Sequence, residues 1–309
     1  MAYTPREIKD RVAVGDDIFI VEDLGNNRIR LIPAPTHVSE PGTPVNKALL
    51  QPIEDELGRL SSTNTYMQLD DFINSGEIET AQIAGIKNSL YRGKNLGTSY
   101  TPEQQSQVAS GKFLDLWVGD YWVINGTRYH IAAFNYYYNT GTPKVTTNHV
   151  TLVPAGILYT HRMNSTVFTE GGYIGSEMYI SGLDQAKTKI RADFSGRVLT
   201  HKRYLCRSVI DGEAQLGKYV DSDVELMNEV MVYGCVINGR STPGWVNIGI
   251  EKTQLPLFAL RPDLINIGAP WWLRDVCSDQ HFAAVGSDGL PNTDGATAVR
   301  GVRPVFSIS

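Results

Sequence analysis

Three carboxylates raise the first chemical question. Asp221, Asp223 and Glu225 alternate along the chain, so an extended backbone would put them on one face. Two carboxyl groups converging at about 5 to 9 Å can hydrolyse a glycosidic bond. The plain alternative is a solvated face of like charges. A second oxygen-rich set, Asp288, Asn292 and Asp294, offers calcium-type ligands at even spacing. The same stretch contains the turn pairs Asp288-Gly289, Pro291-Asn292 and Asp294-Gly295, and turn chemistry is the preferred reading. The six histidines, His37, His130, His149, His161, His201 and His281, are scattered, and no two of them stand four apart. A lone histidine on a strand, such as His130, reads as a hydrogen-bonded structural residue. Three cysteines, Cys206, Cys235 and Cys277, are widely spaced, with neither a C-x-x-C pair nor a disulfide framework. There is no G-x-S-x-G, H-E-x-x-H or phosphate loop; Gly171-Gly172-Tyr173-Ile174-Gly175 lacks the Lys-Ser/Thr of a nucleotide loop, and its glycines read as tight turns against the core. The chain is therefore read as a binder rather than an enzyme, with no metal or cofactor expected.

Aromatic residues remain as the recognition chemistry. Trp271 and Trp272 precede a polar stretch, and Tyr136, Tyr137 and Tyr138 form a run. Aromatics near Asp, Asn and Arg suit sugar or protein recognition, because they bury area at small entropic cost. Alternation predicts that one residue of each adjacent pair is buried and the other displayed. Arg274 and Arg303 read as framework residues held by backbone carbonyls or a carboxylate.

These residues need a frame. The chain has 309 residues, 42% hydrophobic and 20% charged, which suits one large or two modest domains. The net charge of −5 argues against phosphate gripping, so nucleic acid is not expected as a partner. Met1 to Asp10 is polar and charged, with no signal peptide, and no apolar run reaches the roughly 20 residues that span a bilayer. Folding in a reducing cytoplasm fits the cysteine usage.

Near the start, two β-rich runs within Asp16 to Ile32 flank Gly25-Asn26-Asn27 and predict a hairpin. Pro33, Pro35, Pro41 and Pro44 then interrupt regular structure. Leu50, Ile53, Leu57 and Leu60 form a short coiled-coil-like seam, whose plain reading is an amphipathic helix packed on the hairpin. Ser61 to Ser110 reads as a helical connector, with helical spacing over Glu77 to Leu90 and a helix start at Thr101-Pro102. A domain boundary is placed near Gly111. Beyond it, Tyr121 to Ile131 predicts a two-residue hairpin around Asn125-Gly126, and Val150 to Val153 extends the sheet. Asp184 to Phe194 has helical spacing of Ala186, Ile190 and Phe194, and Asn238-Gly239 repeats the turn signal.

The C-terminal stretch Ala269–Ser309 organises the rest. Pro270-Trp271-Trp272-Leu273 is apolar, Ser278 to Arg300 is polar and rich in turn formers, and Gly301 to Ile308 returns to strand composition. The expectation is a long irregular loop held on a rigid frame that the last residues close.

Trp272-Leu273-Arg274-Asp275-Val276, a polar insert, and Gly301-Val302-Arg303-Pro304-Val305-Phe306 together resemble the C-terminus of a C-type-lectin-fold family found in phage tail proteins and bacterial surface proteins. The stretches Gly171 to Tyr179 and Glu225 to Gly234 also match. The likeness spans about Lys112 to the C-terminus and is similar in plan to phage tropism determinants diversified by retroelements. It implies an α+β protein with a C-type-lectin-like C-terminal domain preceded by a β-hairpin and short-helix attachment region. Residues 1–60 would attach to the virion and oligomerise, 61–110 connect, and 111–309 bind the receptor. It further implies a homotrimeric tail-fibre or tail-tip protein, made in the host cytoplasm and located in the virion tail. Its partners would be other tail or baseplate proteins through the N-terminus and a host surface glycan or protein, without membrane insertion. The ligand-binding face would comprise Trp272, Asp275, Ser278, Gln280, His281, Asp288, Asn292, Asp294 and Thr297. Formylglycine-generating enzymes share the plan but use a cysteine pair where Cys277 stands alone. The Glu-Pro-Asn and Trp-Asn-Asp calcium signatures of sugar-binding lectins do not occur. A glycan-cleaving tail enzyme using Asp221, Asp223 or Glu225, and a bacterial surface adhesin, are the alternatives.

Overall fold

The structure is a computed structural model that describes residues 65–76, 78–215, 217–240 and 253–309, together with the backbone of four short strands nearer the N-terminus. Two compact units divide the chain, Met1–Leu69 and Asp70–Ser309. In the first, β2 (Phe19–Asp23) and β3 (Ile29–Pro33) pair antiparallel, Phe19 opposite Pro33 and Asp23 opposite Ile29. This is the hairpin expected around Gly25-Asn26-Asn27. A second antiparallel pair joins β1 (Val12–Val14) to β4 (His37–Glu40). The Leu50, Ile53, Leu57 and Leu60 seam lies outside the described residues.

The larger unit is α+β, mostly sheet with a few helices, and no described helix is long and apolar enough to cross a membrane. Its first helices are α1 (residues 65–75, which begins in the first unit), α2 (Thr80–Lys87) and α3 (Pro102–Ser110). Thr101 caps α3 through a full capping box with Gln104, as the Thr-Pro start implies. Ile73, Ile83, Tyr100 and Val108 are buried in the same apolar cluster as the sheet residues Ile131, Leu152 and Phe306. The compact unit therefore begins at Asp70, not near Gly111: the sparse apolar residues of the stretch taken as a connector share the core of the following strands. Lys87 reinforces this packing, fully buried over the Trp117 ring at 3.8 Å and ion-paired with Asp70.

One five-stranded sheet is antiparallel throughout, in the order β13-β18-β7-β6-β5. Its strands are β5 (Tyr121–Ile124), β6 (Thr127–Phe134), β7 (Val150–Pro154), β13 (Val224–Leu226) and β18 (Pro304–Ile308). Asn125 and Gly126 link β5 to β6 with φ of 47° and 77°, the double positive φ of a type I′ turn. The final strand β18 is wholly buried and lies between β7 and β13. Helix α4 (Asp184–Asp193) packs Ala186 and Ile190 into the core, with Phe194 at its C-cap.

The second five-stranded sheet runs β16-β15-β14-β17-β8. It comprises β8 (Tyr159–Arg162), β14 (Trp271–Val276), β15 (His281–Val285), β16 (Pro291–Gly295) and β17 (Val299–Val302). All its pairs are antiparallel except β14 with β17. The stretch from Ser278 to Arg300 is thus a hairpin and a further strand, not a long irregular loop. Its polar composition is that of an edge: β16 has a neighbour on one side only, and edge strands carry polar and turn-forming residues that discourage further pairing.

This sheet is covered on both faces. Trp271, Leu273, Ala283 and Val285 enter one apolar cluster, and Trp272, Val276, Phe282, Ala284 and Val302 the other. Trp271 and Trp272 do point to opposite faces, but both are buried, because neither face is solvated. The chain passes from this sheet to the other within a single residue, Arg303, which is buried between Trp271 and Phe258 and donates through Nε to the Pro154 carbonyl at 2.9 Å.

Candidate functional site

The candidate site is the β15–β16 edge and the turns at its ends. Apolar alternation fixes the hairpin: Phe282 and Ala284 enter one core and Ala283 and Val285 the other, while β16 pairs with β15 in register from His281 opposite Gly295 to Val285 opposite Pro291. On this frame Gln280, His281, Asp288, Asn292 and Thr297 are exposed. Ser278 is half-buried, its hydroxyl accepting from the Gln280 and His281 N–H groups and meeting the His281 imidazole at 3.0 Å. Asp288 accepts from Leu290 N–H at 3.0 Å, closing the β15–β16 turn. Asp294 is bound bidentately by Arg300, at 2.8 and 3.0 Å. Asp288 therefore serves turn chemistry and Asp294 an ion pair, while Asn292 is exposed on β16. Among the described residues no group of three or more His, Cys, Asp and Glu side chains is placed to hold a metal ion.

Two residues of the expected face are not displayed. Trp272 is 0% exposed, and its indole N–H donates to the His161 carbonyl at 2.8 Å, so it anchors the sheet. Asp275 faces inward against helix α5 (Glu229–Tyr233), where it accepts from Glu229 N–H at 2.7 Å. Burial pushes its carboxyl up to about 6; the nearby Glu229 carboxylate adds to the rise and Arg274 opposes it. Glu229 is itself fully buried and accepts from the backbone N–H groups of Ile237, Asn238 and Gly239 at 2.9 to 3.0 Å. The Asn238-Gly239 signal is accordingly no hairpin: that backbone is folded around a carboxylate.

The carboxylates considered for catalysis do not share an open face. Asp221, at the end of β12 (Gly217–Ser222), is exposed and pairs with Lys202. Asp223 is buried and bound by Arg191. Glu225 is buried, accepting from Tyr173 Oη at 2.7 Å and from the Ser222 hydroxyl. A break between β12 and β13 separates the three, so alternation does not persist through them. Arg274 donates to the Leu226 carbonyl at 3.1 Å, and His130 Nδ1 lies 2.9 Å from the Gly119 carbonyl, both framework roles. Cys277 and His281 stand four apart, but their link is backbone, Cys277 N–H to the His281 carbonyl, and burial pushes the Cys277 thiol up.

A cleft of about 580 Å³ adjoins this edge. It lies between the 164–171 segment and a π-helical turn, Met178–Gly182. The segment is tied to the hairpin: Asn164 N–H donates to the Ala296 carbonyl, and Thr169 donates to the carbonyls of Asp279 and Ser278. Within it, the Asn164 amide accepts from Glu177 N–H at 3.0 Å and donates to the Phe168 carbonyl at 2.7 Å. Glu177 is held by Arg162 Nε at 3.1 and 3.2 Å. Phe168 and Ile180 are 51% and 65% exposed. Sequence reasoning missed this cleft. The signal present was Gly171-x-x-x-Gly175 beside paired glutamates, but those glycines read equally well as turn residues.

Nothing matches. Comparison with protein-family models, curated proteins and solved structures returned no similar protein.

Proposed function

We propose that the chain is a phage tail-fibre or tail-tip receptor-binding protein that adheres to a host surface glycan or protein without chemistry. The observation that carries this reading is the edge hairpin. Five exposed polar residues, Gln280, His281, Asp288, Asn292 and Thr297, sit on this hairpin and its flanking turns, held by β15 residues locked in two cores. Rigid display of polar groups lowers the ordering cost of binding. A C-type-lectin-like assignment for residues 111–309 is supported by a last strand that returns to a sheet, between β7 and β13. In this reading residues 1–60 join the virion and drive homotrimer formation, contacting other tail or baseplate proteins. The separate engagement of Asp221, Asp223 and Glu225 favours adhesion over glycan cleavage.

The test is alanine substitution at Gln280, His281, Asn292 and Thr297 together, in the full chain, with binding to host cells as readout. Adhesion is expected to fall at least about tenfold at unchanged melting temperature. Retained adhesion in the correctly folded variant would place the receptor site elsewhere. Release of oligosaccharide from envelope polysaccharide would reverse the choice between adhesin and enzyme.

A further inference from the structure

We propose that the cleft between the 164–171 segment and the π-helical turn is a second binding site, one that takes an uncharged hexopyranose. The proposal deepens the adhesion reading and rests on it for the biological source of the sugar. Four features of the cleft carry it.

The cleft volume of about 580 Å³ falls within the range of small-molecule sites, about 300–1,000 Å³. Two of its lining glycines pack backbone to backbone: a Cβ on Gly175 would lie 2.6 Å from the Gly171 carbonyl oxygen, and one on Gly171 would lie 2.9 Å from Gly175 Cα. The two glycines are thus in contact, a close approach that neither position could keep with a side chain. Phe168 supplies a half-exposed aromatic face, the surface against which the C–H side of a pyranose packs.

The polar groups are chiefly acceptors. The Glu170 carboxylate lines the cleft and has no ion-pair partner among the described residues. A carboxylate accepts from two adjacent hydroxyls at once, which suits a vicinal diol. Glu177 is the second carboxylate, and the cation closest to it, Arg162, is already bound to it. Among the described residues no Lys or Arg lines the cleft and Arg162 is committed to Glu177, so sialic acids, uronic acids and phosphates meet the Glu170 charge without a free counter-charge. The walls are pre-organised by the Asn164 amide and by Thr169, and a site that is already ordered loses less entropy on binding.

The experiment uses the full chain with glucose, galactose and N-acetylglucosamine as probes and glucuronic acid as control, read by ligand-observed NMR saturation transfer. At least one neutral hexose is expected to bind at about 10 mM or below, with glucuronic acid at least about tenfold weaker. Phe168→Ala and Glu170→Gln are each expected to weaken binding about tenfold or more, while Lys144→Ala, an exposed position outside both the cleft and the hairpin face, leaves it unchanged. Phe168 and Glu170 are exposed, so an unchanged melting temperature shows that each variant is folded. Absence of binding by all three hexoses, or equal binding of glucuronic acid, overturns the assignment. So does full hexose binding by folded Phe168→Ala and Glu170→Gln. Host-cell adhesion is scored separately: adhesion without hexose binding removes the cleft and leaves the adhesion reading standing, and hexose binding without adhesion does the reverse.

Discussion

Half-buried Asp275 and buried Glu229 form an acidic pair whose residues do different work. Glu229 gathers the N–H groups of Ile237, Asn238 and Gly239, whereas Asp275 holds the first N–H of α5 with a carboxyl raised to about 6. A carboxyl whose folded pKa lies above its ordinary value of 3.8 binds its proton more tightly in the folded state. Its contribution therefore favours folding as pH falls from about 6 towards 4, and is lost as pH rises back through about 6. Asp275→Asn removes that contribution, so the stability difference between variant and native chain should change across this window and be flat above it. Urea midpoints at pH 4.5 and pH 7 measure the difference, and a pH-independent value would refute the assignment. Glu229→Ala strands three backbone donors and should cost about 3 kcal/mol, with faster amide exchange at residues 237–239. This clasp was not legible in the sequence. Its donors are main-chain groups eight to ten residues downstream, and main-chain groups leave no trace in residue type. Asp275 was singled out, but as a displayed residue: its position on a strand was readable, and the helix packed over it was not.

At the level of elements, local chemistry was readable and edges were not. The β5–β6 hairpin follows from Asn125-Gly126 alone, because few residues other than glycine and asparagine take two successive positive φ values cheaply. Gly126→Ala tests this cleanly. Open space surrounds its Cβ position, so the cost is conformational only, about 1 kcal/mol by chemical denaturation. The capping box of α3 and the Ala186, Ile190 and Phe194 stripe of α4 were equally legible, since each rests on contacts within one or two turns. The polar stretch after Trp272 was misread. Pro291-Asn292-Thr293-Asp294-Gly295 has loop composition and strand geometry, and only its pairing with His281–Val285 makes it a strand. Its outward groups stay exposed all the same, which is why Gln280, His281, Asp288, Asn292 and Thr297 remain the candidate face.

Across the whole molecule, the return of the last residues to a sheet was legible from composition, while the α+β class was what the resemblance implied. The extent of the compact unit was not, because Ile73, Ile83 and Val108 find their partners beyond residue 111. The deciding pairing is that of β18 with β7 and β13. Truncation after Arg303 exposes both neighbours at once and removes Val305, Phe306 and Ile308 from the core. The shortened chain is expected to lose its cooperative thermal transition, and a normal melt would show that the strand is dispensable.

That strand also sets a clock on synthesis. Strand β7 leaves the ribosome about 150 residues before its partner exists, roughly 10 to 30 s at ordinary translation speed. Throughout that interval a largely apolar ribbon waits with an open flank, the kind of unpaired edge on which unfinished chains associate.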